Sequence, residues 1–248
     1  GSEMCIRDRN QELFQSKITF FTQVAHEIKT PVSLIKAPLE AILQTHEWNS
    51  EVESNLSVIR KNTNRLMELI KQLLDFRKVD KEGYTLSFNE VDINRMIEDI
   101  IDRFRAISLT GISFSVSLPK EHLQYNVDQE ALTKIVSNLL TNAMKYARTR
   151  IMVIMDEHLS SEGRTLSLCV RDDGPGIPQE ECSKVFEPFY QVGNTGNNGS
   201  GVGIGLSLVK LLVEKHKGKV YINPGYTEGC EVCVEIPVSY THLRAHET

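Results

Sequence analysis

Four groups of residues have the types and spacing to do chemistry. Asn138 and Asn142 stand four apart in a segment of helical pattern, with Lys145 and Tyr146 a turn further on. Residues at i and i+4 share one helix face. Neutral amide oxygens suit a Mg²⁺ ion whose charge phosphates already balance, and a lysine supplies a point charge for those phosphates. An ordinary solvated helix face would use the same residues. The second group, Asp172-Asp173-Gly174-Pro175-Gly176-Ile177, follows an apolar strand pattern. One reading is a plain turn, since Asp, Gly and Pro are turn residues. The other places the Asp172 carboxylate at a strand end to accept a hydrogen bond from an adenine amino group, with Gly174 and Gly176 letting the backbone approach the base beside Ile177. The third group, Gly199-Ser200-Gly201-Val202-Gly203-Ile204-Gly205-Leu206, opens a helix. Its alternating glycines, Gly201, Gly203 and Gly205, free the backbone to wrap an anion, and a helix N-terminus favours negative charge there. It matches neither the Walker nor the dinucleotide pattern, because no strand leads directly into it and no Lys-Ser/Thr follows. The stretch 191–198 before it, rich in Gly and Asn, reads as a mobile lid.

The fourth group is smaller. His26, Glu27 and Thr30 lie just before Pro31, which removes a backbone donor, frees the Glu27 carbonyl and loosens that helical turn. A solvent-facing imidazole beside a carboxylate at such a turn is a candidate reactive site, although an exposed helical His is most often merely solvated.

These residues need elements to hold them. The series Phe14, Ile18, Phe21, Ala25, Ile28, Val32, Ile35, Leu39, Ile42 steps by four and three, the seam of a long helix. A second series, Val52, Leu56, Ile59, Thr63, Leu66, Ile70, Leu73, does the same, and the polar stretch 45–50 with Trp48 joins the two as antiparallel neighbours. His26 and Thr30 fall off the seam, facing out. One hairpin cannot bury both seams and the flanking Leu43, Leu69 and Leu74, so two hairpins are expected to pair as a four-helix bundle in a homodimer. A polar joint, 80–83, ends the hairpin. Beyond it the pattern predicts strands over 84–89, 112–118, 149–157, 164–172, 219–223 and 229–236. Helices are expected from an Asp92 cap to Ser108, from an Asp128 cap to Tyr146, and over 203–217. The fold expected is α+β: an antiparallel helical hairpin over 10–82, then a layered α/β domain over 84–238. Residues 1–9 and 239–248 share no pattern with what they flank and resemble vector-derived ends.

Composition removes other classes. The 248 residues are 40% hydrophobic and 25% charged, which excludes a disordered or collagen-like chain. A net charge of −5 argues against nucleic-acid binding by bulk electrostatics. No apolar run reaches the ~18–20 residues that span a bilayer, so no direct membrane contact is expected. The five cysteines are odd in number and scattered, pointing to a reducing compartment rather than a disulfide framework. Cys230 and Cys233 form a lone CxxC that, on a strand, would face opposite ways, a poor zinc or redox pair.

Taken in order, the motifs resemble the catalytic core of a bacterial sensor histidine kinase. FFTQVAHEIKTP at 20–31 is similar to the family's H box, IVSNLLTNAMKYA at 135–147 to its N box, and DDGPGI at 172–177 to its first glycine box. VFEPFY at 185–190 is similar to the F box, and 201–206 to the second glycine box. The resemblance implies a dimerisation and phosphotransfer hairpin followed by an ATP-binding sandwich of the Bergerat type. It implies that His26 attacks the γ-phosphate of ATP, with Glu27 handling the proton on the other ring nitrogen. An imidazole of ordinary pKa, about 6.5, is mostly neutral at pH 7 and so able to attack. It further implies that Asn142, with Asn138, holds Mg²⁺, that Lys145 touches phosphate and that Asp172 reads adenine. The phosphoryl group would pass to an Asp of a response-regulator receiver domain, and Thr30 would orient water for that regulator's dephosphorylation. Two departures stand out: Val202 occupies a position where the family often has Thr, and no Lys or Arg lies between Tyr190 and Leu208. The chain is expected to be the cytoplasmic core of a longer, membrane-anchored receptor, plain or hybrid. Two rival readings stay open. Another Bergerat-fold ATPase would share the Asn, Asp-Gly and glycine-rich elements without needing the histidine hairpin, and a dimeric scaffold would bind nucleotide without autokinase activity.

Overall fold

The structure, a computed structural model, describes residues 2–44, 48–80, 83–108, 111–120, 124–160, 163–192 and 203–240, without the side chains of 2–21, 23, 160, 239 and 240. Contacts divide the chain into two units, Gly1–Asp75 and Phe76–Thr248.

The first unit is helical. The helix α1 spans Ser2–Gln44 and stays helical through Pro31 and Pro38; α2 spans Ser50–Asp80. Asn49 starts α2 by accepting from the amides of Glu51 and Val52 at 3.1 and 3.0 Å, satisfying donors that a helix start leaves open. Within the single chain Val52, Asn62 and Leu69 are buried, while Val32, Leu39, Leu56, Ile70 and Leu74 remain exposed. α1 runs without a break through residues 3–9, so the backbone does not set that stretch apart.

The last turn of α2 groups with the second unit. There Phe76 and Val79 are buried, and the Lys78 ammonium lies 3.6 Å from Glu130. The strands and helices that follow are β1 (Asn89–Asp92), α3 (Ile93–Ile107), β2 (Ser113–Ser117), β3 (Gln124–Val127), α4 (Gln129–Tyr146), β4 (Arg150–Ser160), β5 (Gly163–Asp172), α5 (Gly205–Lys215), β6 (Lys219–Ile222) and β7 (Cys230–Tyr240). Two 3₁₀ turns, Gln179–Glu181 and Lys184–Phe186, sit between β5 and α5. The strands join in the order β1-β3-β7-β5-β4-β2, with β6 on β7, and all pairs are antiparallel except β2 with β4.

Burial alternates along β5, as a sheet with one covered face requires. Leu166, Leu168 and Val170 are buried and stand opposite Ile236, Val234 and Val232 of β7. Against them lie apolar faces of the helices: Ile97, Ile100 and Ile101 of α3, Ile135 and Leu139 of α4, and Leu208, Val209 and Leu212 of α5. α4 packs between α3 and α5. Among the described residues no helix is long and apolar enough to cross a membrane.

Three sequence expectations are corrected. The strand expected at 84–89 lies instead at Asn89–Asp92. Tyr84, Leu86 and Phe88 alternate, but an extended segment becomes a strand only beside a partner, and the part of this segment that β3, which the sequence reading missed, pairs with is Asn89–Asp92. The Ser87 amide donates instead to the Asp128 carboxylate at 2.7 Å. The last strand does not stop at 236: β7 continues to Tyr240, and Ser239 and Tyr240 pair with Asn126 and Tyr125. The cysteines are not all free. Cys169 and Cys233, 64 residues apart, stand directly opposite on β5 and β7 and form a disulfide. Cys230 and Cys233 do face opposite ways, for Cys230 lies across from Asp172.

Candidate active site

The N-terminus of α4 is fixed by Asp128, whose carboxylate accepts from the Ala131 amide at 2.9 Å as well as from Ser87. That cap sets the helix phase and so the direction of Asn138 and Asn142, both half-buried. The Asn138 amide donates to the Lys134 carbonyl at 2.8 Å, which orients its oxygen. A Cβ added at Gly205 would lie 3.0 Å from that oxygen and 4.0 Å from the Asn142 amide nitrogen. The two asparagines therefore face the first residue of α5 across a gap that the missing side chain keeps open. Ile204, at the cap position of α5, brings no side-chain acceptor to the helix start. Leu206 is half-buried in the same turn. Two neutral amide groups beside a helix N-terminus fit a phosphate-bound Mg²⁺, which needs oxygen ligands without excess charge. The Lys145 ammonium rests 4.7 Å from the centre of the Tyr146 ring at the far end of α4, and Tyr146 is exposed.

Asp172 ends β5 and is 6% exposed. Its carboxylate accepts from the Gly174 amide at 2.8 Å. Burial pushes its pKa up, against the pull of the Gly174 and Cys230 amides, and the neighbouring Asp173 adds to the rise. A carboxylate removed from water gains most from one more donor, and an exocyclic amino group is such a donor. Gly174 touches the end of α4, since a Cβ there would lie 2.5 Å from the Tyr146 carbonyl oxygen. Gly176 faces Gly229 at the start of β7, and Ile177 beside it is half-buried.

The aromatic stretch 185–190 carries a buried Phe186 and ends on Phe189 at φ 65°, whose amide donates to the Gly203 carbonyl at 2.8 Å. Gly203 has φ +74°, and a Cβ there would stand 2.7 Å from the Phe189 backbone, so no other residue fits without strain. Gly201, Val202 and most of the expected lid lie outside the described residues.

His26, Glu27 and Thr30 are in the first unit. His26 and Thr30 are exposed, as the seam predicts, and the Thr30 hydroxyl donates to the His26 carbonyl at 3.3 Å. Burial raises the pKa of Glu27, opposed by Arg65 of α2 and by His26. The sequence reading named Asp173 and Phe189 within motifs but gave them no role, and it did not single out Gly229. Asp173 reads as a turn residue, and the partners of the other two are distant in sequence.

Two family models match the chain. One is the His Kinase A (phospho-acceptor) domain, over residues 16–82, and the other the histidine kinase-, DNA gyrase B- and HSP90-like ATPase, over 127–240. The chain belongs to the histidine kinase family, with both of its core domains in order. It is 33% identical over 94% of its length to the sensor histidine kinase TmoS of Ectopseudomonas mendocina, and 30% identical over 97% to histidine kinase P4 of Formosa agariphila. It spans 24% and 18% of those two proteins. Its fold is similar to that of histidine kinase ThkA, crystallised in complex with the response regulator protein TrrA, at a TM-score of 0.73 and 24% identity, covering 92% of this chain and 63% of that one.

Proposed function

We propose that this chain is the catalytic core of a two-component sensor kinase, which phosphorylates itself on His26 from Mg²⁺-ATP and passes the phosphoryl group to an aspartate of a receiver domain. One observation carries the reading: the buried Asp172, the Asn138–Asn142 pair and the uncapped start of α5 lie on one domain, and a helix of the other unit exposes His26. Asp172 holds adenine through its amino group. Lys145 and the backbone around Gly203 and Gly205 hold the phosphates, and Asn142 with Asn138 holds Mg²⁺, which neutralises phosphate charge when bound. With no basic side chain between Tyr190 and Leu208, phosphate contacts there fall to backbone amides.

In the transfer, the lone pair of a neutral His26 ring nitrogen bonds to the γ-phosphorus. The bond to the bridging oxygen breaks, and ADP leaves with that electron pair. The other ring nitrogen then holds a proton it must share or lose. Glu27, whose burial raises its proton affinity, is the acceptor, although neighbours at i and i+1 point about 100° apart and the carboxylate must reach around the helix. Positioning and charge neutralisation supply most of the rate in such reactions. The exposed apolar residues of α1 and α2 are the dimer surface. Thr30 keeps acceptor lone pairs free while its proton binds the helix, and it orients the water that hydrolyses the regulator's acyl phosphate. The full-length protein is a membrane-anchored sensor, with this core on the cytoplasmic side.

The test is incubation with γ-labelled ATP and Mg²⁺. The parent should take up label that acid removes and base spares, and His26→Gln should take up none. Label on the His26→Gln protein would overturn the assignment. Thr30→Ala should label normally yet slow dephosphorylation of the regulator about 10-fold or more, a size typical of a lost acid–base or positioning group. Equal loss of both activities would remove Thr30 from that role.

A further inference from the structure

Asp173 has no place in the transfer just described, yet its carboxylate accepts from three successive backbone amides and a hydroxyl. It follows Asp172, the last residue of β5. Its carboxylate accepts from the amide of Arg148 at 2.8 Å, of Thr149 at 3.0 and 3.1 Å, and of Arg150 at 3.2 Å, and from the Thr149 hydroxyl at 2.5 Å. Residues 148–150 join the end of α4 to the start of β4. The carboxylate is therefore a bolt between the exit of α4 and the end of β5. Gly174 belongs to the same joint, for a Cβ there would stand 2.5 Å from the Tyr146 carbonyl oxygen.

We infer that Asp173 is a positioning residue for nucleotide binding: it fixes the distance and angle between Asp172, on β5, and the phosphate-side residues Asn138, Asn142 and Lys145, on α4. This rests on the site assignment given above. The physical reason is that ATP is a two-ended ligand. One end meets β5 and the other meets α4, and both contacts form without an ordering cost only when the two elements are already set. Three successive backbone donors aimed at one carboxylate do this better than a neutral side chain, because hydrogen bonds to a charged acceptor are shorter and about twice as strong. The donors also hold the carboxyl well below the usual carboxylate range, so the bolt stays ionised at every pH near neutrality.

The inference predicts a split between whole and fragment ligands. Replacing Asp173 should weaken ATP, which must reach both elements, and leave adenosine, which needs only the β5 side. In the intact chain, AMPPNP with Mg²⁺ is titrated by calorimetry and adenosine by ligand-observed NMR. Asp173→Ala should lose 10-fold or more in AMPPNP affinity and less than 3-fold in adenosine affinity. Asp173→Asn, which keeps one acceptor oxygen, should recover part of the loss. Thr149→Val removes only the hydroxyl bond and should shift the ratio about 3-fold in the same direction, giving a readout even where Asp173→Ala fails to fold. An equal fall in both ligands, or no fall in either, across Asp173→Asn and Thr149→Val overturns the positioning role. Asp172→Asn separates the two claims. If it binds adenosine as tightly as the parent, the adenine assignment is wrong, and the inference falls with it.

Discussion

Asp172 and Asp173 are adjacent carboxylates that burial and bonding push in opposite directions. Burial raises the pKa of Asp172, and bonding lowers that of Asp173. The signs matter for stability. A carboxyl whose folded pKa is raised binds its proton more tightly when folded, so its ionisation costs stability as pH rises through the window above its ordinary value. Asp172→Asn removes that cost. Denaturant melts from pH 4 to 7 should show the variant gaining on the parent as pH rises through that window, and matching or exceeding it at neutral pH. The same variant should lose about 10- to 150-fold in ATP affinity, the size of a hydrogen bond to a charged group at about 1.5–3 kcal/mol. A variant that is both weaker in binding and less stable at pH 7 would mean Asp172 supports the fold instead. The sequence marked Asp172 as a candidate, since a carboxylate at the end of an apolar strand before glycines is either a turn residue or an acceptor held out for a ligand. It hid Asp173, because the meaning of that side chain lies in donors more than twenty residues earlier. The Cys169–Cys233 bond was hidden for the same reason, since only strand register brings the two together.

Among the elements, helices were more legible than strands. Asp92 and Asp128 announced α3 and α4, and both side chains do accept from the third residue on, Arg95 and Ala131. A helix carries its partners within its own sequence, so period and cap suffice. A strand borrows its partner, so β1 was displaced and the four-residue β3 was missed. The start of α5 gives a prediction at this scale. Gly205→Ala should leave the helix intact or slightly stabilise it, by up to about 1 kcal/mol from helix propensity. Its methyl would stand 3.0 Å from the Asn138 oxygen and narrow the gap that the asparagines face. The Michaelis constant for ATP in autophosphorylation should rise several-fold while the melting temperature holds. An unchanged Michaelis constant would show that nucleotide does not enter that gap.

For the whole molecule, the surplus of apolar helix surface was evident from periodicity, and the structure sorts it into two stripes. Leu69 is 1% exposed, whereas Ile70 beside it is 44% exposed in the single chain. Ile70→Glu should therefore leave the monomer folded and weaken dimerisation at least 10-fold, as judged by sedimentation equilibrium. Leu69→Ala should instead lower the stability of the hairpin by about 2–5 kcal/mol, as core truncations do. A dimer unaffected by Ile70→Glu would place the partner on another face. The border between the two compact units falls inside α2, which runs through it without interruption. Phe76 and Val79 continue the second helix of the hairpin in sequence, are buried, and group with the second unit. Recombination that exchanges catalytic modules between such proteins must therefore cross over ahead of Phe76, inside a helix. A crossover at the polar joint would deliver that unit without the two buried residues that group with it.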